Sequence, residues 1–229
     1  MPRRRDSLDR VLAGFIVMLH EAREALTTAL AARLGEIDPA TAHGRVATLE
    51  ERADAAEISM RRQLLIHATV HGAGDMPACL TYMSIAKDAE RITDLALGLS
   101  GLAALITPPT GSVRDDLAQL GGAVVAVLEE LPTVIEHEDV DGARDLIKRA
   151  RAAQQACLAR LDDVVRSESE TGVPHATGDT APGRWDSSTQ PVALALTYRH
   201  LGRIAANALN IASSVVVPLD RLDYPSTLE

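Results

Sequence analysis

The chain has 229 residues, of which 46% are hydrophobic and only 2% aromatic, and its formal net charge is −9 at pH 7. With so few aromatic residues, Ala, Leu, Val and Ile must fill the core, which favours an all-α bundle over a β-sandwich. The negative charge argues against nucleic acid as a partner, and the only dense basic cluster, residues 3–5, is too short to change that expectation.

The N-terminal apolar stretch, residues 11–19, imitates a signal peptide only in part. Asp6 and Asp9 interrupt the basic region before it, and the stretch is far shorter than the roughly 20 residues that span a bilayer. The two cysteines, Cys79 and Cys157, lack the spacing of a metal motif and suit packed thiols in a reducing compartment. The sequence therefore predicts a soluble, cytoplasmic protein.

Three long helices are predicted in the first half of the chain. Ser7 is expected to cap the first helix and Gly35 to end it, while Asp38 followed by Pro is a typical start for the second. The sequence "HGAGD" then breaks the second helix, and its Asp75 is expected to cap the third. The predicted helices are residues 7–34, 39–70 and 76–105.

Three more helices are predicted after "TPPTGS" (residues 107–112), whose prolines and glycine exclude a helix. Pro132 is expected to kink the fourth helix, and Pro191 to open the sixth. Residues 169–190 are rich in Gly, Pro, Ser and Thr and are predicted to form a mobile loop. The predicted helices are residues 113–138, a fifth helix that starts at Asp139 or Asp141 and runs to residue 167, and residues 191–217. No run alternates as a strand would.

The two halves resemble each other. A shift of 112 residues aligns "AERITDLALGL" (residues 89–99) with "LGRIAANALNI" (residues 201–211), and a shift of 101 residues aligns Asp38 with Asp139. Two matches in the same helix order indicate an internal duplication. The expected architecture is two tandem three-helix antiparallel bundles, at residues 1–106 and 112–217, followed by a C-terminal tail at 218–229.

Pairs of acids at a four-residue step, which places both on one helix face, occur in the second and third helices. Two adjacent antiparallel helices could direct these carboxylates to one point, a site suited to iron, manganese, magnesium or calcium. The alternative is a solvated face that nearby cations neutralise. The candidate ligands are Glu50, Asp54, Glu90 and Asp94, and the nearby cations are Arg52, Lys87 and Arg91. The matched positions of the second half are Arg151, Gln155, Gly202 and Ala206, so the site is expected in the first repeat alone.

Two segments carry a family resemblance: "YMSIAKDAERITDLALGL" (residues 82–99) and "YRHLGRIAANALNIAS" (residues 198–213). Both resemble the signature "LERIGDHAxNIA" of the PhoU family, the phosphate-transport regulatory proteins, once per repeat. The first segment has Thr93 and Leu95 where Gly and His are usual, and the second lacks the acids. The chain thus resembles a divergent member of that family over nearly its whole length.

The resemblance implies a fold of two three-helix bundles and metal binding through Glu/Asp-x-x-x-Asp pairs, which match Glu50, Asp54, Glu90 and Asp94. It also implies a non-enzymatic adaptor that links a phosphate transporter ATPase subunit to a sensor histidine kinase and keeps the phosphate-starvation response off. Membrane association would then be peripheral, through those partners, and a homodimer is compatible with such a role. One alternative is an accessory subunit of another transporter. Another, a carboxylate-bridged metal protein, lacks the Glu-x-x-His pair of the ferritin-like class.

One further pattern is "HATVH", which places His67 and His71 one helical turn apart. Such a pair can bind zinc, but histidines near the C-terminus of a helix also simply favour its dipole. The sequence has no GxSxG motif and no Gly-rich phosphate loop, so it predicts neither nucleophilic catalysis nor a phosphate site.

Overall fold

The computed structural model describes residues 3–170 and 189–217, which form six long helices and one short 3₁₀ turn, Ala73–Asp75, with no strand within those ranges. The predicted loop at 169–190 falls largely outside the described residues, and the tail at 218–229 falls wholly outside them. The helices are α1 (Arg3–Arg33), α2 (Pro39–His71), α3 (Met76–Leu105), α4 (Gly111–Glu136), α5 (Val140–Glu170) and α6 (Thr189–Ser213).

The connection between α1 and α2 has the predicted chemistry. Gly35 takes a φ of 76°, in the left-handed region that favours glycine, and the N–H of Glu36 donates to the Ala31 carbonyl at 2.8 Å. The Asp38 carboxylate accepts a hydrogen bond from the N–H of Thr41 at 2.8 Å and so caps α2. The hydrogen bonds from Thr41 also lower the pKa of Asp38. Both local signals are therefore confirmed.

Two other predicted caps are wrong in their chemistry. α1 begins four residues before Ser7, whose hydroxyl bonds the ring of His67 and not the backbone of its own helix. Asp75 does precede α3, but its side chain makes no capping hydrogen bond and instead contacts His67. Ser7 thus contacts a residue 60 positions away and Asp75 one eight positions away, in place of the helix backbone that the sequence suggested.

The helices of the second half differ from their predicted bounds by a few residues. α4 starts at Gly111, whose φ is 58°, and continues through the buried Pro132. α5 extends past residue 167 to Glu170, and α6 starts before Pro191 but ends at Ser213, because the backbone turns there.

The six helices form two antiparallel three-helix bundles, so the predicted all-α fold is confirmed. α1, α2 and α3 pack against one another, as do α4, α5 and α6, while α1 contacts α4 and α3 contacts α6 across the pair. One continuous core runs through both bundles. Its fully buried members include Phe15, Leu26 and Ile92 in the first bundle and Leu131 and Ile204 in the second.

α4 is the one described helix that is long and apolar enough to cross a membrane, with a mean hydropathy of 1.4 over its most apolar window. In this fold its apolar side chains belong to the core, since Leu117, Val124 and Leu131 are fully buried among the other helices. Burial in a helical core accounts for the hydropathy of α4.

Candidate functional site

The four predicted carboxylates lie on the adjacent helices α2 and α3, close enough for the other three to influence the pKa of Glu50. A short turn at residues 72–75 joins α2 to α3, so the second half of α3 returns beside the middle of α2. The pKa of Glu50 is raised, first by burial of its carboxyl group and then by the negative charges of Asp54, Asp94 and Glu90. Like charges therefore crowd this surface, as the spacing in the sequence predicts.

The four side chains differ in their access to solvent. Glu90 is buried, with 8% of its surface exposed, whereas Glu50 is half-buried and both Asp54 and Asp94 are exposed. Glu90 is thus the acid least accessible to solvent between α2 and α3, and the other three lie nearer the surface. We call this set of four the acidic groove, with Glu90 at its floor.

Lys87 neutralises the floor of this groove. Its Nζ atom lies 2.6 Å from Oε2 of Glu90 and 3.9 Å from Oε2 of Glu57, and Arg61 lies 2.7 Å from the other oxygen of Glu57. Of the three cations considered from the sequence, Lys87 alone contacts one of the four predicted acids. The other two contact acids outside the set: Arg52 is 3.7 Å from Glu21, and Arg91 is 3.9 Å from Asp88.

Glu57 is the residue of this groove that sequence reasoning missed. It is 5% exposed, and it lies three residues after Asp54 and seven after Glu50, on the same face of α2. That 4-3 spacing was visible in the sequence. However, the pairing of Glu57 with Lys87 depends on how α3 packs against α2.

The residues fit a hard cation in chemistry but not in the positions of their side chains. Carboxylate oxygens are the donors that magnesium, calcium and manganese prefer. Nevertheless, no three His, Cys, Asp or Glu side chains converge on a metal position in the part of the chain that the structure describes. A cation would have to displace Lys87 from Glu90 before that carboxylate became a ligand.

The second bundle has a packing reason to lack a counterpart of Glu90. Gly202, at the position that matches Glu90, is buried where α6 meets α5, and a Cβ there would lie 3.2 Å from Cβ of Cys157. This contact leaves no room for a longer side chain, because protein cores are close-packed.

The two histidines of "HATVH" do not form a zinc pair in this arrangement. His67 is 3% exposed; its Nδ1 lies 2.5 Å from the Ser7 hydroxyl and its Nε2 lies 2.9 Å from Oδ2 of Asp75. The ring of His71 packs beside it, with centroids 4.4 Å apart. Both nitrogens of His67 are therefore engaged, and the residue joins the start of α1 to the end of α2 and the start of α3.

Comparisons with known proteins agree on one family. A family model described as "PhoU domain" matches residues 15–100. The fold is similar to the crystal structure of PhoU from Pseudomonas aeruginosa, with a TM-score of 0.75 and 18% identity, over 92% of this chain and 96% of that one. It is also similar to the phosphate transport system regulatory protein PhoU from Streptococcus pneumoniae, with a TM-score of 0.76 and 15% identity, over 96% and 97% of the two chains. No curated protein sequence matches the chain.

Proposed function

We propose that the chain is a member of the PhoU family and a non-enzymatic regulator of phosphate transport. The observation that carries the proposal is a PhoU domain at residues 15–100 within a fold that matches PhoU structures over at least 92% of the chain. Family membership suggests the regulatory role.

We further propose the mode of regulation. The protein acts in the cytoplasm as an adaptor between the ATPase subunit of a phosphate transporter and a sensor histidine kinase, and it keeps the starvation response off while phosphate is plentiful. It reaches the membrane through those partners. The net charge of −9 supports protein partners over nucleic acid, because phosphate backbones repel an acidic protein.

Capture of the full-length tagged protein tests the adaptor role. It is recovered from membranes of phosphate-replete cells after mild crosslinking, and the attached proteins are identified by mass spectrometry. We expect a phosphate-transporter ATPase or a sensor kinase. In parallel, deletion of the protein should switch on a phosphate-response reporter at high phosphate. No change in the reporter, together with neither partner, would reject the proposal.

Two surface variants sharpen the capture experiment. Ile66 in α2 and Val165 in α5 are exposed by 59% and 58%, so Ile66→Glu and Val165→Glu each place one charge on a different bundle without entering the core. Each is the matched control for the other. Loss of capture in one variant alone assigns partner contact to that bundle.

A second candidate role is that of an accessory subunit for a different transporter. The departures from the family signature at Thr93 and Leu95 favour considering it, because a divergent chain can have changed its partner. The same capture experiment decides between the two roles, since an unrelated transporter would then be recovered in place of the phosphate-transport components.

We also propose that the acidic groove of the first bundle binds a hard cation, namely iron, manganese, magnesium or calcium. The raised pKa of Glu50, caused after burial by its acidic neighbours, supports this, because a cation would relieve that repulsion. Elemental analysis of the purified protein should find metal in the parent and not in a Glu90→Ala/Asp94→Ala variant. Equal metal content in both would rule out this site.

A further inference from the structure

Arg33, the last residue of α1, is a buried cation without a buried counter-charge. It is 1% exposed, and its Nε donates to Oγ1 of Thr197 at 3.2 Å while Nη1 donates to the carbonyl of Thr107 at 3.4 Å. Both acceptors are neutral. Among the side chains that the structure describes, at residues 7–167 and 190–217, no carboxylate lies within ion-pairing distance of its guanidinium.

Arg33 differs in this respect from the buried Asp, Glu and His side chains that the structure describes. Each of those lies within 4.0 Å of a group that can carry the opposite charge. The pairs are Glu57 with Arg61, Glu90 with Lys87, Asp88 with Arg91, and His67 with Asp75. An unpaired buried charge is costly. The carbonyl groups at the end of α1 offset only part of that cost.

Arg33 lies in the wall of a cavity of about 540 Å³. The cavity is at one end of the molecule, where the α3–α4 connection, the last turns of α5 and the start of α6 meet. Thr107, Thr110 and Gln190 provide polar groups, and Val113 and Leu194 provide apolar surface. This volume is within the usual range of small-molecule sites, roughly 300–1,000 Å³.

Two helix N-termini border the same cavity. α4 begins just after Thr110, which makes no side-chain capping hydrogen bond, and the first turn of α6 contributes Gln190 and Pro191 to the wall. Neither helix has an acidic residue in its first turn. Helix N-termini carry unpaired N–H groups and partial positive charge, which favour anions. They therefore add to the positive potential of Arg33.

We propose that this cavity binds a small oxyanion, a phosphate or carboxylate group, whose negative charge pairs with the buried guanidinium of Arg33. The assignment rests on the buried charge and the cavity and stands independently of the proposed function. The bound oxyanion would join α1 to the segment that connects the two bundles, because Arg33 belongs to the first bundle and Thr110 to the start of the second.

Calorimetric titration of the full-length protein tests the site directly. After dialysis against an oxyanion-free buffer, it is titrated with inorganic phosphate, glycerol phosphate and succinate, with chloride as the control for ionic strength. We expect one-to-one binding of at least one oxyanion, and the three arms distinguish free phosphate, a phosphate ester and a carboxylate. No binding of any of them at millimolar concentration would overturn the proposal.

The variant Arg33→Met removes the charge but keeps an unbranched apolar chain. We expect it to lose affinity by about tenfold or more while its melting temperature without ligand stays equal or rises, because the unpaired buried charge is gone. A purely structural arginine would instead lower the melting temperature. Arg45→Met is the matched control, since Arg45 is exposed and pairs with Glu24 at 2.6 Å. Unchanged affinity in Arg33→Met would overturn the proposal.

A second variant keeps the test decisive if Arg33→Met does not fold. Thr110→Asp places a permanent carboxylate at the cavity wall, at a helix-capping position where aspartate is favoured. We expect it to fold and to compete internally with the oxyanion, so that binding is lost, while Thr110→Ser still binds. Parental affinity in Thr110→Asp would contradict the site. These experiments measure anion binding alone, so their failure is distinct from failure of the adaptor proposal.

Discussion

Gly121 of α4 and Leu30 of α1 meet so closely that a Cβ on Gly121 would lie 2.5 Å and 2.7 Å from the two methyl carbons of Leu30. Both residues are buried. Because α1 belongs to the first bundle and α4 to the second, this contact fixes how closely the bundles approach. A side chain larger than hydrogen at this position would separate them.

Gly121→Ala should therefore lower the free energy of unfolding, by about 1–3 kcal/mol, the usual cost of overpacking a core. The control is the next residue, since Gly122 is exposed and a Cβ there meets nothing within 4 Å. Gly122→Ala should instead raise stability, by up to about 1 kcal/mol, through helix propensity alone. Urea denaturation measures both variants, and effects of the same sign would contradict the packing described.

His67 provides a second test of long-range contact. His67→Ala removes the partner of both the Ser7 hydroxyl and an oxygen of Asp75, so we expect a loss of about 1–3 kcal/mol in the free energy of unfolding. His71→Ala removes only a half-buried ring contact and should cost much less. If both substitutions had the same effect, the hydrogen bonds of His67 would contribute nothing to stability.

These contacts also mark the limit of what the sequence predicts. Asp38 and Gly35 act within four or five residues of themselves, so their roles follow from local chemistry alone. Ser7 looked like a cap because serine is favoured there, yet it bonds a histidine 60 residues away. No local pattern records such a partner, so both this contact and that of Asp75 became visible only in the fold.

The two candidate sites differ in the same respect, because the sequence predicts the acidic cluster but not the cavity at Arg33. Helical spacing and the antiparallel arrangement of α2 and α3 were enough to place the four acids near one another. Arg33 was missed because a cation in the last turn of a helix is ordinary on sequence grounds. Its burial is created by α6 and the α3–α4 connection, which lie more than 70 residues away in the chain.

The two thiols should resist modification in the folded protein. Cys79 and Cys157 are each 1% exposed, and burial raises the pKa of both, that of Cys157 to about 11. Because the thiolate is the reactive form, iodoacetamide at about pH 8 should leave both unmodified in the folded state and alkylate both in denaturant. Intact-mass spectrometry reads the outcome, and rapid alkylation of the native protein would contradict the burial described.

The crowding around Glu50 predicts a dependence of stability on pH. Its pKa is raised in the folded state, so the folded protein holds this proton more tightly than the unfolded chain, and stability falls as pH rises through that range. Glu50→Gln should therefore raise stability at neutral pH by about 0.2–0.5 kcal/mol, the size of like-charge pairs on helices. The gain should vanish below about pH 4. Thermal melts across this range measure it, with Glu136→Gln as the control, since Glu136 is an exposed glutamate of α4 and is not among the charges that raise the pKa of Glu50.

Substitution of Lys87 should lower stability, whereas substitution of Glu50 should raise it. The reason is that Lys87 is the cation that pairs with the buried Glu90. Lys87→Met leaves the buried Glu90 without its ion pair, so we expect stability at neutral pH to fall by about 1–3 kcal/mol. Chemical denaturation at neutral pH measures the loss. Lys148→Met is the control, since Lys148 is an exposed lysine of the second bundle.

The same variant links stability to the metal proposal. Lys87 and a cation would occupy the same side of Glu90, so removing the lysine should strengthen cation binding. Added manganese or magnesium should then restore the melting temperature of Lys87→Met by more than it raises that of the parent protein. If neither metal restores it, the groove is an ion-pair network that depends on Lys87 and not a metal site.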